Sequence, residues 1–225
     1  MEKTTSSEIE IRQAEEGDIP QIAFIFLHTF ERTVHHIFGD ELPRIESMED
    51  IFLFIYRMEP SSLFVAREGR RVVGYLICPQ DVKALWSKAL LKGYVFKWAW
   101  KWVCGEYGFG LAPLRFLLIN KFHFMSSTHN FRSTSVAQIL SIAVLPEYRD
   151  QGLASRLMEK GFLYLQSLGV PEIKLEVRPK NKAGKRLYEK MGFQEVGVTE
   201  DTQGQWIVMV KDLAPISGNN GNRPE

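Results

Sequence analysis

Cysteine is scarce. Only Cys78 and Cys104 occur in 225 residues, and neither belongs to a CxxC pair or sits beside a histidine cluster. That scarcity excludes a disulfide framework and leaves no spacing from which a zinc site is built, so no metal is expected. Long apolar runs are also missing: no uncharged stretch approaches the ~18 residues that a membrane-crossing helix requires. The first twenty residues, MEKTTSSEIEIRQAEEGDIP, are polar and acidic and lack the apolar core of a signal peptide. A reduced, cytoplasmic location is therefore expected. Neither sign of charge is in excess, with 28 Lys and Arg against 27 Asp and Glu, so no overall field selects nucleic acid or another polyanion.

What is present is core-forming material. At 45% hydrophobic residues the chain can fill one substantial core. Residues 1–213 read as a single folded unit, and the Gly-, Asn- and Pro-rich APISGNNGNRPE after Leu213 (214–225) reads as a disordered tail. The charge is unevenly spread. Between Asp81 and Arg132 eight basic residues face two acidic ones, a local net of +6.

The periodicity gives an order of elements. A strand is expected over 8–14, then a helix opened by Asp18 and Pro20 and running to about 38, with Ile22, Phe26, Phe30 and Val34 at helical spacing. A second helix is expected over 46–58, with Ser47 as cap and Asp50 three residues on. SLFVAREGRRVVGYLICP reads as a hairpin turning at Glu68-Gly69. Residues 82–103 form a lysine- and tryptophan-rich helical stretch, 105–113 a break and 114–125 another apolar-basic segment. The last third alternates strand 137–145, helix 153–168, strand 172–177, helix 182–191 and strands near 193–198 and 206–211, which implies a mixed sheet of the α/β class.

Arg149-Asp150-Gln151-Gly152-Leu153-Ala154 follows an apolar strand and opens a helix, where unpaired backbone N–H groups and the helix dipole converge. Glycine at 152 lets the backbone approach an anion closely, a small residue at 154 keeps the helix start accessible, and Arg149 adds charge. Taken alone, the same string is also what a plain turn after a strand looks like.

Two longer strings point to a family. LSIAVLPEYRDQGLASRLM resembles the coenzyme motif of the GNAT superfamily of acyl-CoA-dependent N-acyltransferases, and NKAGKRLYEKMGF resembles that family's second motif, in the expected order. With the preceding hairpin and helix pair, the resemblance spans roughly 8–212. It implies a GNAT fold splayed between the strands at 137–145 and 172–177, with acetyl-CoA as co-substrate and its pantetheine arm in the gap. It also implies that the backbone of Ile142, Ala143 and Val144 binds the pantetheine and polarises the thioester, while Arg149, Asp150, Gln151, Gly152, Leu153, Ala154 and Ser155 hold the pyrophosphate. Asn181 is implied as a pantetheine contact, a helix cap or both. Tyr188 falls on the motif tyrosine that contacts the coenzyme near its sulfur and protonates the leaving thiolate, or is simply a packed aromatic between Leu187 and Phe193.

Two positions depart from the pattern. Gly184 stands where alanine is usual, and Gln138 stands where many members carry a glutamate on the central strand. The second departure leaves the general base open: Glu176 is the first candidate, with Ser141, Tyr75, His35 and His36 behind it. Glu176 also reads as an outward strand carboxylate, and the histidine pair as a helix end.

The resemblance also implies a short connection where this chain spends more than fifty residues, a helical insertion at 81–132 before the central strand. Read as one helix, 82–103 lines up Trp86, Leu90, Tyr94 or Val95, and Trp98 or Trp102, with Lys88, Lys92 and Lys101 elsewhere. This suits a lid on the sheet, peripheral membrane contact through 82–125, or a homodimer seam. The implied function is transfer of acetyl to a primary amine of a small molecule or cell-envelope precursor. The rivals are a protein Nα- or lysine acetyltransferase and a non-catalytic CoA-binding or membrane-docked regulator.

Overall fold

The computed structural model describes residues 8–31, 34–35, 43–108, 137–201 and 204–213. His36, the insertion from 109 to 132 and the tail 214–225 lie outside the described residues.

Strand β1 (Ile9–Gln13) leads into helix α1 (Ile19–Thr29), followed by α2 (Ile45–Met58), β2 (Leu63–Glu68) and β3 (Arg71–Ile77). Helices α3 (Val82–Leu91) and α4 (Tyr94–Val103) come next. The chain closes with β4 (Ser141–Val144), α5 (Leu153–Ser167), β5 (Glu172–Val177), α6 (Lys182–Lys190), β6 (Gln194–Asp201) and β7 (Gly204–Asp212). The first four strands form an antiparallel sheet in the order β1-β2-β3-β4, and the last three a second sheet in the order β5-β7-β6. A single parallel bridge, Gln138 to Lys174, joins them among the described residues.

That junction opens within a few residues. Ile139 N–H donates to the Lys174 carbonyl at 2.9 Å and Lys174 N–H to the Ala137 carbonyl at 3.1 Å, after which β4 and β5 form no further ladder pairs among the described residues. The cause lies on the opposite edge of β4. Leu140 N–H donates to the Ile77 carbonyl at 2.9 Å, yet the next residue, Ser141, is the ladder partner of Ile77. Two residues of one strand facing one of the other make a β-bulge, which bends its strand and raises the local twist. The 137–145 strand expected from sequence is thus a bridge, a bulge and a four-residue strand.

Helix α5 lies against the face of β3 that carries Leu76 and Cys78. A Cβ at Gly161 would meet Leu76 Cδ2 at 2.7 Å and Cys78 Sγ at 2.9 Å, so glycine in mid-helix is the condition of that close approach. Helices α1 and α2 cover the other face, where the Phe52 and Tyr75 rings lie 6.2 Å apart. Asp18, buried at the β1–α1 corner, holds Arg12 at 3.0 Å and Arg67 at 3.6 Å.

Local expectations needed correction at three helix ends. Helix α1 is interrupted at Phe30, which leaves helical dihedrals at φ −108, ψ 25; Glu31, Val34 and His35 are helical again, and the expected end near 38 lies outside the described residues. Helix α2 begins at Ile45, and Ser47 is not its cap: its Oγ donates back to the Arg44 carbonyl at 2.8 Å. The 82–103 stretch is two helices, because Gly93 at φ 74 turns the chain between them.

Candidate functional site

The β3–β4 register decides where the amides of β4 point. Leu145 N–H donates to the Val73 carbonyl at 2.9 Å, and Ala143 is paired with Tyr75. Because bonding alternates along an antiparallel ladder, the amides of Ile142 and Val144 face away from β3, toward the side that β5 has left. They are donors aimed into an opening between strands.

At the end of β4 the chain makes a short turn, Pro146–Tyr148, and enters the loop before α5. Asp150 at φ 62 is the sole non-glycine residue with positive φ among the described residues, and Gly152 follows at φ 73 as the N-cap of α5. Gly152 offers no side chain to cap the helix, and the first intrahelical bond is Arg156 N–H to the Gly152 carbonyl at 3.1 Å. The amides of Leu153, Ala154 and Ser155 therefore have no helical acceptor. Nothing lies within 4 Å of where a Gly152 Cβ would stand, so the space above the turn is open. Open space, three converging donors and the positive end of a fifteen-residue helix fit a diphosphate. Arg149 stands beside them, exposed, its Nε on the Val144 carbonyl at 3.3 Å.

The β2–β3 hairpin holds this turn in place, which the motifs alone did not reveal. Arg71 Nη2 donates to Glu147 Oε1 at 2.7 Å, Tyr148 Oη donates to Glu68 Oε2 at 2.6 Å, and the Arg71 guanidinium lies 5.5 Å from the centre of the Tyr148 ring. Arg156 Nη2 ties the first turn of α5 to the Ile9 carbonyl at 3.0 Å.

The candidate proton-transfer residues fall in three places. Tyr188, on α6, is buried, with its ring edge-on to Phe193 at 6.0 Å. Burial pushes its hydroxyl up to about 12, which keeps it protonated and able to donate at neutral pH. Glu176 is half-buried on β5, two residues beyond Lys174 and thus on the same sheet face as Gln138. The strand's buried residues, Ile173, Leu175 and Val177, occupy the opposite face. Tyr75 and Ser141 share a hydrogen bond of 2.7 Å at the bulge, and burial holds the Tyr75 hydroxyl well above its ordinary range, against a smaller opposing effect of that bond. A tyrosine and a serine in otherwise apolar strands were the sequence signal for that pair.

Two remaining candidates have local roles. Asn181 Oδ1 accepts from Gly184 N–H at 2.9 Å, which realises the cap, and a Cβ at 184 would crowd the Asn181 amide at 2.6 Å. His35 lies 3.8 Å from Glu31 on the helical surface. No cluster of metal-ligating residues occurs among the described residues.

The family model described as acetyltransferase (GNAT) family matches residues 31–193. The chain belongs to this family. A GNAT relative in Escherichia coli K12, the ribosomal protein bS18-alanine N-acetyltransferase, is 42% identical over 85 residues, 36% of this chain and 57% of that protein. This chain thus spans little more than half of that relative's length. The N-alpha-acetyltransferase 30 of Schizosaccharomyces pombe is 24% identical over 143 residues, 64% of each chain. In structure the chain is similar to yncA of Salmonella typhimurium, solved with its cofactor acetyl-CoA, at TM-score 0.57 and 15% identity over 95% of this chain and 99% of that one. At that identity the likeness speaks to the fold: the splayed sheet and the loop before α5 are GNAT architecture.

Proposed function

We propose that this chain is an N-acetyltransferase that moves an acetyl group from acetyl-CoA to a primary amine. The observation that carries the reading is the cap-less, glycine-turned start of α5 lying at the end of a strand whose amides face an unpaired gap. Acetyl-CoA supplies the thioester carbonyl that the amine attacks. In this reading the amides of Gln151 to Ser155, with Arg149, hold the diphosphate. The Ile142 and Val144 amides align the pantetheine, and one of them donates to the carbonyl oxygen as charge develops there. Tyr188 donates a proton to the departing sulfur, which needs only modest help because a thiol of pKa ~8.5 leaves readily. Glu176, directly or through water, takes the proton released by the amine.

The acceptor expected from sequence, a small amine or an envelope precursor, is an alkylamine of pKa ~10 and depends on such a base. A second reading, the α-amino group of a protein, is supported by the names of the relatives and by Gln138. An α-amine of pKa ~7.7 to 8.0 is partly neutral at pH 7, so a site without a carboxylate at 138 can use it.

Thiol release from acetyl-CoA, measured against a panel of alkylamines and short peptides, tests both readings. Glu176→Gln should depress turnover on alkylamines far more than on peptides, and Tyr188→Phe should depress both. Unchanged turnover in both variants would overturn these assignments. Absence of heat with acetyl-CoA in calorimetry would remove the function itself.

A further inference from the structure

Helix α4 buries no residue fully, although aromatic and aliphatic side chains make up most of it. Its inward side is narrow. Tyr94 and Trp98 meet Phe54 of α2 at ring distances of 4.8 and 5.3 Å, and Lys101 reaches Asp50 at 2.6 Å. Those positions are spaced four and three apart, so the opposite side presents Phe96, Ala99, Trp100 and Val103. Phe96 is 71% exposed, Trp100 69% and Val103 80%, and Leu91, at the end of α3, is 85% exposed. No charge interrupts that side of α4; Lys97 flanks it.

The same hairpin carries four exposed lysines, Lys83 and Lys88 on α3, Lys92 just after it and Lys97 on α4. None of them makes an ion pair among the described residues, and the acids of this stretch are engaged. Asp81 caps α3 through Ala84 N–H at 2.8 Å, and Glu106 lies 3.8 Å from Lys101. The surface thus joins unshielded apolar area to uncompensated positive charge. Isolated exposed apolar residues are ordinary, but a contiguous ridge rimmed by one sign of charge marks a binding surface.

The charge selects the occupant. A second copy related by a two-fold axis would set lysines against lysines. Residues 109–136 of this chain bring Arg115, Lys121 and Arg132 and no acid, so their charge does not complement the lysines either. An anionic bilayer answers both requirements, with an apolar boundary for tryptophan and phenylalanine and a negative headgroup layer for lysine.

We propose that the α3–α4 hairpin docks on an anionic lipid surface, with Phe96, Trp100 and Val103 in the acyl boundary and Lys83, Lys88, Lys92 and Lys97 at the headgroups. This is a peripheral contact: among the described residues no helix is long and apolar enough to cross a membrane.

Co-sedimentation of the full chain with vesicles of phosphatidylcholine, with and without phosphatidylglycerol, tests it. Binding should require phosphatidylglycerol and weaken as salt is raised. Lys92→Gln with Lys97→Gln should weaken it about fivefold per lysine removed, and Phe96→Ser with Trp100→Ser should abolish it. Both double variants should keep wild-type circular dichroism and thiol release from acetyl-CoA, since these side chains face outward. No binding to phosphatidylglycerol vesicles, or binding that both variants retain, would overturn the proposal. So would a dimer in sedimentation velocity that Phe96→Ser/Trp100→Ser dissolves while vesicles capture nothing.

Discussion

Helices α5 and α4 are attached to the molecule in opposite ways. Helix α5 buries Leu153, Leu157, Met158, Gly161, Phe162 and Leu165 and lies within glycine distance of β3. Helix α4 buries no residue, and its contacts include the Tyr94 and Trp98 rings on Phe54 and the Lys101–Asp50 ion pair. A helix whose start is proposed to hold a ligand needs a fixed backbone, and packing along its whole length supplies that. A helix that keeps its apolar side exposed is a surface to be covered. The strongest way to break the contrast is to damage the rigid partner where packing is indifferent. Gly152→Val puts its Cβ into empty space but forces a β-branched residue to φ 73 beneath the proposed diphosphate site. Calorimetry with acetyl-CoA should show affinity lowered on the order of a hundredfold, a loss of ~2.7 kcal/mol, at unchanged circular dichroism.

The two regions also differ in how far they could be read beforehand. The loop and its helix were legible because Gly152 and Ala154 answer requirements on the backbone and Arg149 adds charge beside them, and such requirements leave a fixed string of residues. The family, the fold class and the order of most elements followed from such strings. The splay was implied by resemblance alone. Its local cause, the bulge at Leu140 and Ser141, contains no glycine and no turn residue and so has no sequence signature. The clamp from Arg71 and Glu68 onto Glu147 and Tyr148 joins residues about eighty apart and depends on tertiary placement. In the insertion, periodicity predicted one helix with a continuous aromatic face. Gly93 divides it, and Trp98 turns inward while Trp100 turns outward. Tryptophan suits either environment, so composition could not assign the faces.

A smaller effect is expected at Tyr188, which belongs to the rigid half and is the one buried hydroxyl assigned to chemistry. Tyr188→Phe should lower kcat about tenfold to a hundredfold while leaving acetyl-CoA affinity unchanged. It should also change stability at high pH. The folded hydroxyl is raised from 10.0 to about 12, so the neutral form is favoured in the folded state. Stability is therefore complete below pH 10 and declines as pH rises toward 12, by at most ~1.4 kcal/mol per pH unit. Urea titrations at pH 9 and pH 11 should show a shallower decline in the variant.

The bulge offers a test by asymmetry. Ser141→Ala strands the Tyr75 hydroxyl, which is fully buried, and should cost about 1–3 kcal/mol. Tyr75→Phe strands only the half-buried serine, which can turn to water, and should cost less. Equal costs by denaturant titration would show that the hydrogen bond does not hold the bulge.

The smallest effect is expected where α4 is tethered. Asp50 Oδ2 accepts from Lys101 Nζ at 2.6 Å and from Tyr107 Oη at 2.8 Å, so one carboxylate fastens both the last turn of α4 and the chain beyond it. Asp50→Asn removes the charge but keeps an acceptor, and since both ends are partly wet the global cost should be about 1 kcal/mol or less. The local consequence should be larger. With no residue of α4 buried, amides of 94–107 should lose hydrogen-exchange protection while those of α5 keep theirs. Equal loss in both helices would mean that the insertion and the coenzyme half unfold as one cooperative unit, and the contrast between a packed helix and a tethered one would not describe how this protein opens.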